Sequence, residues 1–140
     1  QWGFEPLDHP DIEISQGKIY IVPATQQINF AADGKIQLQP EAWPGSYQPS
    51  ITEVMRRASN VFRQQLLTIV FSGMGDDGSQ SASHQVACGG KIWAQTAESC
   101  TSTSQPDEMR ATGQVCFNGC PEELANQLIN EYQQDGEKVS

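Results

Sequence analysis

The residues of this chain that could do chemistry are concentrated in one short loop. Gly73, Gly75 and Gly78 alternate there with Met74, Asp76 and Asp77, directly after the apolar run Leu67-Thr68-Ile69-Val70-Phe71. Three closely spaced glycines let a backbone take conformations closed to other residues and approach a bound group closely. Two carboxylates in the same turn suggest two opposed uses. The letters Gly73-x-Gly75-x-x-Gly78 satisfy the dinucleotide fingerprint, and Glu98 falls about twenty residues on, where an acid meets a ribose. That use needs N–H groups facing a pyrophosphate, and two adjacent carboxylates crowd the same anion cradle. The other use is a buried carboxylate that accepts an imidazole N–H and so orients the base of a Ser-His-Asp hydrolase. A tight strand-to-helix turn with an acidic helix start and no chemistry also satisfies the spacing.

Other candidates are few. His9 lies among turn formers (Pro6, Asp8, Pro10 and Asp11) and reads as solvated. His84 follows Asp77 closely enough to turn back toward the loop from a helical stretch. Cys88, Cys100, Cys116 and Cys120 lack the paired C-x-x-C spacing of a zinc site and have no histidine cluster nearby. Cys116 and Cys120 could form a redox pair; reduced thiols packed as small hydrophobes are the alternative.

A loop of this kind needs a strand that ends at it and elements that hold it on either side. Leu67–Phe71 has the composition of a strand buried on both faces in a parallel sheet. In open α/β sheets, catalytic groups gather beyond the carboxyl ends of strands, where Asp76 and Asp77 fall. Residues 76–87 read as a helix with acids at its positive end, closed by Gly89 and Gly90. Lys91–Gln95 is the next buried strand, 96–105 a polar loop, 106–111 a short helix and 114–117 a last strand. Cys120-Pro121-Glu122-Glu123 opens a final helix, with Leu124, Ala125, Leu128, Ile129 and Tyr132 as its buried stripe.

Upstream, residues 1–16 read as an irregular lead-in, extended near Ile12–Ile14, and Lys18–Val22 as a strand stopped by Pro23. Gln27–Phe30 and Lys35–Gln39 alternate around Ala32-Asp33-Gly34, a half-exposed hairpin. Residues 40–49 form a loop carrying Trp43 and Tyr47. Ser50-x-x-Glu53 is a capping box before a helix whose stripe is Ile51, Val54, Met55, Ala58, Val61 and Phe62. Arg56 and Arg57 lie off that stripe, as a solvated face or a grip on an acidic partner. The fold class expected is α/β: a doubly wound, mostly parallel sheet with helices on both faces and a small antiparallel hairpin. Residues 134–140 read as a frayed tail.

Composition narrows the partners. The chain has 140 residues, the length of one domain or a large part of one, and 37% of them are hydrophobic, enough for a core. Its net charge of -9 argues against nucleic acid or an anionic membrane as the main partner. With no transmembrane run or signal peptide, a soluble cytoplasmic protein is expected. The first residue is Gln, which suggests a piece of something longer.

Gly73-Met74-Gly75-Asp76-Asp77-Gly78 resembles the active-site loop of the chemotaxis protein-glutamate methylesterases, the CheB type. Gly17-Lys18-Ile19-Tyr20-Ile21-Val22-Pro23, Pro49-Ser50-Ile51, Gly89-Gly90 with Ala94-Gln95, Glu98-Ser99-Cys100 and Pro106 resemble further segments of that family, in order. The resemblance implies hydrolysis of glutamate methyl esters on the cytoplasmic helices of chemoreceptors, and deamidation of glutamines there, with no cofactor and no metal. It implies that Asp77 is the triad aspartate, that Met74 lends an oxyanion donor from a loop freed by Gly73 and Gly75, and that Asp76 is a helix-start acid. The family's serine and histidine lie in segments this sequence does not contain. The chain is therefore expected to be the C-terminal portion of a catalytic domain, lacking its N-terminal strands and inert alone. A response-regulator domain would precede it, and an unpaired sheet edge would invite self-association. Thr52, Ser81 and Gln105 depart from the family's usual Asp, Gly and Met, and Gln27 stands where it often has His. Such departures suit a divergent branch, for instance one serving a pilus-linked chemosensory system. A non-catalytic scaffold of the same fold and a nucleotide-binding α/β domain are the competing functions.

Overall fold

The computed structural model describes residues 3–5, 7 and 9–133, so the tail expected at 134–140 lies outside the described residues. In chain order the strands are β1 (Gly3–Glu5), β2 (Asp11–Ile12), β3 (Lys18–Tyr20), β4 (Gln27–Phe30) and β5 (Ile36–Gln39), then β6 (Leu67–Val70), β7 (Lys91–Gln95) and β8 (Val115–Gly119). The helices are α1 (Ile51–Phe62), α2 (Ala82–Ala87), α3 (Ser104–Ala111) and α4 (Pro121–Leu128).

The layer that carries the glycine-rich loop is parallel, in the order β6-β7-β8. Leu67 pairs with Lys91 and Val70 with Ala94, while Gln95 meets Gly119 across the other side of β7. Parallel strands need crossovers, and α2 and α3 supply them. The middle strand is sealed: Ile92, Trp93 and Ala94 are at most 1% exposed. The strand β6 is less buried than its composition suggests, with Val70 alone of its residues buried. It has β7 as its one neighbour among the described strands. Beside it runs an apolar groove of about 340 Å³, lined by Val22, Ile51, Val54, Met55, Leu66 and Leu67 among others.

A second sheet, antiparallel, runs β2-β5-β4. The expected hairpin is there, with Gln27 opposite Gln39 and Phe30 opposite Ile36. Its turn closes through a Gly34 N–H bond to the Ala31 carbonyl at 2.8 Å, and Gly34 takes a φ of 91° that favours glycine. The lead-in is not irregular throughout. β1 pairs in parallel with β3, and β2 antiparallel with β5, because unpaired strands nearby offer ladder partners that a turn-rich sequence does not reveal.

The helix α1 joins the two layers. On one side Met55 packs with Val70, Ala82, Ile92 and Met109. On the other, Val54 packs against Ile28, Ile36 and Trp43. Half of the capping box forms: the Glu53 N–H donates to Ser50 Oγ at 3.2 Å, but the Glu53 carboxylate turns instead to Arg56 and Arg57. Arg57 is not on a solvated face. It donates to the Ile28 carbonyl at 2.9 Å and Gln27 Oε1 at 2.8 Å, and lies 5.6 Å from the centre of the Trp43 ring. Trp43 itself is 3% exposed, a core residue within the 40–49 loop.

Two further expectations change. The helix expected over 76–87 is a turn, a single 3-10 turn at Ser79–Ser81 and then α2, because Gly78 at φ 99° breaks helical geometry. The stripe on α4 buries Leu124 but leaves Leu128, Ile129 and Tyr132 between 39% and 51% exposed. Leu124 is the one buried residue of the helix, and the chain passes into a π turn at Ile129–Gln133, where Glu131 pairs with Lys91 of β7.

Candidate functional site

Asp77 stands at the end of β6 with its carboxylate turned inward, 6% exposed. The first turn of an α-helix has four N–H groups without intrahelical acceptors. In α1 three of them are met by side chains. Glu53 donates to Ser50 Oγ at 3.2 Å, and Val54 then opens the intrahelical ladder on the Ser50 carbonyl at 3.1 Å. Ile51 donates to Asp77 Oδ2 at 2.7 Å and Thr52 to Oδ1 at 3.0 Å. The Thr52 hydroxyl adds a third donor to the carboxylate, on Oδ1 at 3.0 Å. Three donors thus fix the carboxylate across the N-terminal end of the helix.

The carboxylate is reached from two clefts. One, of about 220 Å³, is lined by Ile51, Thr68, Phe71, Ser72 and Gln105 and runs along the open flank of β6. The other, of about 360 Å³, is lined by Tyr47, Thr52, Glu53 and Gln80. Asp77 lines both, beyond the carboxyl end of a parallel strand.

The loop's backbone donors can be followed one by one. Gly73 donates to the Ser102 carbonyl at 3.0 Å and Gly75 to Ser104 Oγ at 2.9 Å. Asp76 donates to the Tyr47 hydroxyl at 3.3 Å, which itself donates to Asp76 Oδ1 at 2.8 Å. Gly78 donates to Thr52 Oγ1 at 2.8 Å. Among the described residues, none accepts from the Met74 N–H, and the Met74 side chain is 80% exposed. A loop whose glycine N–H groups bond inward is not a pyrophosphate cradle. The dinucleotide arithmetic of Gly73, Gly75, Gly78 and Glu98 therefore matches in letters alone.

A family model described as CheB methylesterase matches residues 9–128. The chain belongs to the CheB methylesterase family. Its relatives include "Protein-glutamate methylesterase/protein-glutamine glutaminase 3" of Anaeromyxobacter dehalogenans, 28% identical over 82% of this chain and 34% of the relative. The corresponding protein numbered 1 in Myxococcus xanthus is 30% identical over 73% of this chain and 30% of its own length. The chain thus spans about a third of the curated relatives it matches. The crystal structure of the Thermotoga maritima CheB methylesterase catalytic domain superposes with a TM-score of 0.79 at 21% identity, covering 87% of this chain and 66% of that one. That likeness carries the fold: a parallel sheet with helices and a small antiparallel sheet.

Within this CheB-family fold the four loop residues singled out from sequence, Gly73, Met74, Gly75 and Asp77, lie together at one strand end. The histidines do not join them. His84 Nε2 is 2.7 Å from Asn60 Oδ1, on α1, and His9 lies exposed in a bend of the lead-in. The four cysteines are free thiols, Cys116 exposed. Among the described residues, no three His, Cys, Asp or Glu side chains are grouped to hold a metal ion. No described helix is long and apolar enough to cross a membrane.

Sequence reasoning missed the supports. Gln105 donates from Nε2 to the Asp77 carbonyl at 3.2 Å, and a Cβ on Gly73 would collide with its amide oxygen. Tyr47 holds Asp76, and Ser104 holds Gly75. The capping box marked where α1 begins, but nothing in it said that a loop 26 residues on would share the capping.

Proposed function

We propose that this chain supplies the aspartate and an oxyanion donor to a protein-glutamate methylesterase that also deamidates glutamine. Its substrates would be methylated chemoreceptor helices in the cytoplasm. The observation that carries this reading is the Asp77 carboxylate: buried, fixed by three donors, and open to a cleft along β6. In ester hydrolysis such a carboxylate accepts the imidazole N–H, holds the productive tautomer and stabilises the imidazolium as the serine proton is taken. Serine and histidine would come from outside these 140 residues, on a strand laid against the open side of β6, so the segment alone is inert. Gly73 and Gly75 shape the turn with their N–H groups engaged, and the Met74 N–H, with no acceptor among the described residues, would serve as the oxyanion donor. An upstream response-regulator domain would control access, and the bare flank of β6 would let isolated segments pair with one another.

The test is methanol release from methylated receptor by the full-length protein and its Asp77→Ala variant. A loss of roughly 10⁴-fold is expected, the cost of a misoriented base. Turnover within about tenfold of wild type would overturn the assignment and favour a scaffold in which Asp77 only caps a helix.

A further inference from the structure

The Asp77 carboxylate has about four acceptor positions, two on each oxygen. Oδ1 receives two donors, the Thr52 N–H and the Thr52 hydroxyl, both at 3.0 Å. Oδ2 receives one, the Ile51 N–H at 2.7 Å. The Thr52 hydroxyl also lies 3.3 Å from Gln80 Oε1, but its single hydrogen goes to the nearer, charged acceptor. Its lone pair is engaged as well, by the Gly78 N–H at 2.8 Å. One small side chain thus ties down both the carboxylate and the backbone that follows it. Gly78 has little freedom otherwise: a Cβ there would meet Ile51 Cγ2 at 2.9 Å and Met109 Cε at 3.2 Å.

We infer that Thr52 is a positioning residue for Asp77: it saturates Oδ1 and so assigns Oδ2 as the oxygen that accepts the imidazole N–H. The inference rests on the reading of Asp77 as the base-orienting carboxylate. Without the hydroxyl, Oδ1 regains an open position, the imidazole N–H can go to either oxygen, and the Gly78 N–H loses its acceptor. The base is then held in the productive geometry for only part of the time, a defect of turnover rather than of substrate binding.

The experiment uses the full-length protein with Thr52→Val, Thr52→Ser, Asp77→Ala and the double variant Asp77→Ala/Thr52→Val. Methanol release is measured against receptor concentration. Thr52→Val is expected to lower kcat by about 10- to 100-fold with KM nearly unchanged. Thr52→Ser, which keeps the hydroxyl, should restore turnover, and adding Thr52→Val to Asp77→Ala should cost nothing further. A Thr52→Val variant with wild-type kcat beside a dead Asp77→Ala overturns this inference alone. So does a Thr52→Val penalty that persists in the Asp77→Ala background, or that falls on KM. An active Asp77→Ala overturns the reading beneath it. Amide exchange at Gly78 reports the contact without turnover: protection should be lost in Thr52→Val and kept in Thr52→Ser, and protection kept in Thr52→Val overturns the anchoring.

Discussion

Asp77 does two things with one carboxylate. It caps α1 through both oxygens, and in the proposed chemistry it accepts the imidazole N–H. Replacing it with Asn separates them. Asp77→Asn keeps one acceptor oxygen for the helix but places an amide N–H where the imidazole must donate, so turnover should collapse by about 10⁴-fold while the fold survives. Activity and thermal midpoint, measured on the same full-length preparation, check this. Gly78 is the harsher position. At φ 99°, with Ile51, Met55 and Met109 closing around a would-be Cβ, Gly78→Ala combines backbone strain with overpacking. It should cost about 2–4 kcal/mol in denaturant unfolding.

Among the elements, α1 has the most to hold together. Arg57 bonds its charged head to the hairpin strand β4 and stacks on Trp43, with a side chain 15% exposed. Arg57→Ala should destabilise the full-length protein by about 2 kcal/mol, the scale of hydrogen bonds made by a charged group, read as a lower denaturant midpoint. Glu53 gives the same contact a pH dependence. A hydrogen bond from Arg56 first, and then the charges of Arg56 and Arg57, hold its carboxyl below the ordinary value of 4.5 despite opposing desolvation. The stabilisation is therefore complete above the unfolded value and disappears as acid protonates Glu53 through its lowered folded value. Glu53→Gln should flatten stability against pH in that acidic window, as followed by thermal melts. The main elements were legible in the sequence because their signals are local: alternation in the hairpin, helical spacing in α1, a proline start in α4. Partners were not. Arg57 looked solvated because its spacing on the helix says nothing of the sheet above it. Leu128, Ile129 and Tyr132 looked buried because their spacing cannot say how much of that face a neighbour covers. Asp77 was legible as a letter in a loop, whereas its grip by Thr52 depends on a pairing across 25 residues.

At the scale of the molecule, β6 is the feature that most shapes behaviour. Its apolar residues border a groove lined by Val22, Val54, Met55 and Leu67, beside a row of ladder groups with β7 on one side only. The isolated 140-residue segment should self-associate with rising concentration, as seen by sedimentation velocity, and Ile69→Lys on that strand should return it toward monomer. A segment that stays monomeric across the concentration range would show that the edge is protected within these residues.

The adjacent residues Val54 and Met55 face different apolar centres, so the two layers touch chiefly through one helix. That arrangement makes a seam. Thermal breathing that lifts the hairpin away from α1 need not loosen Val70, Ile92 and Met109 behind it. A protease nick at the Asp33-Gly34 tip should therefore leave the acidic loop standing, with the small sheet as a flap that opens first.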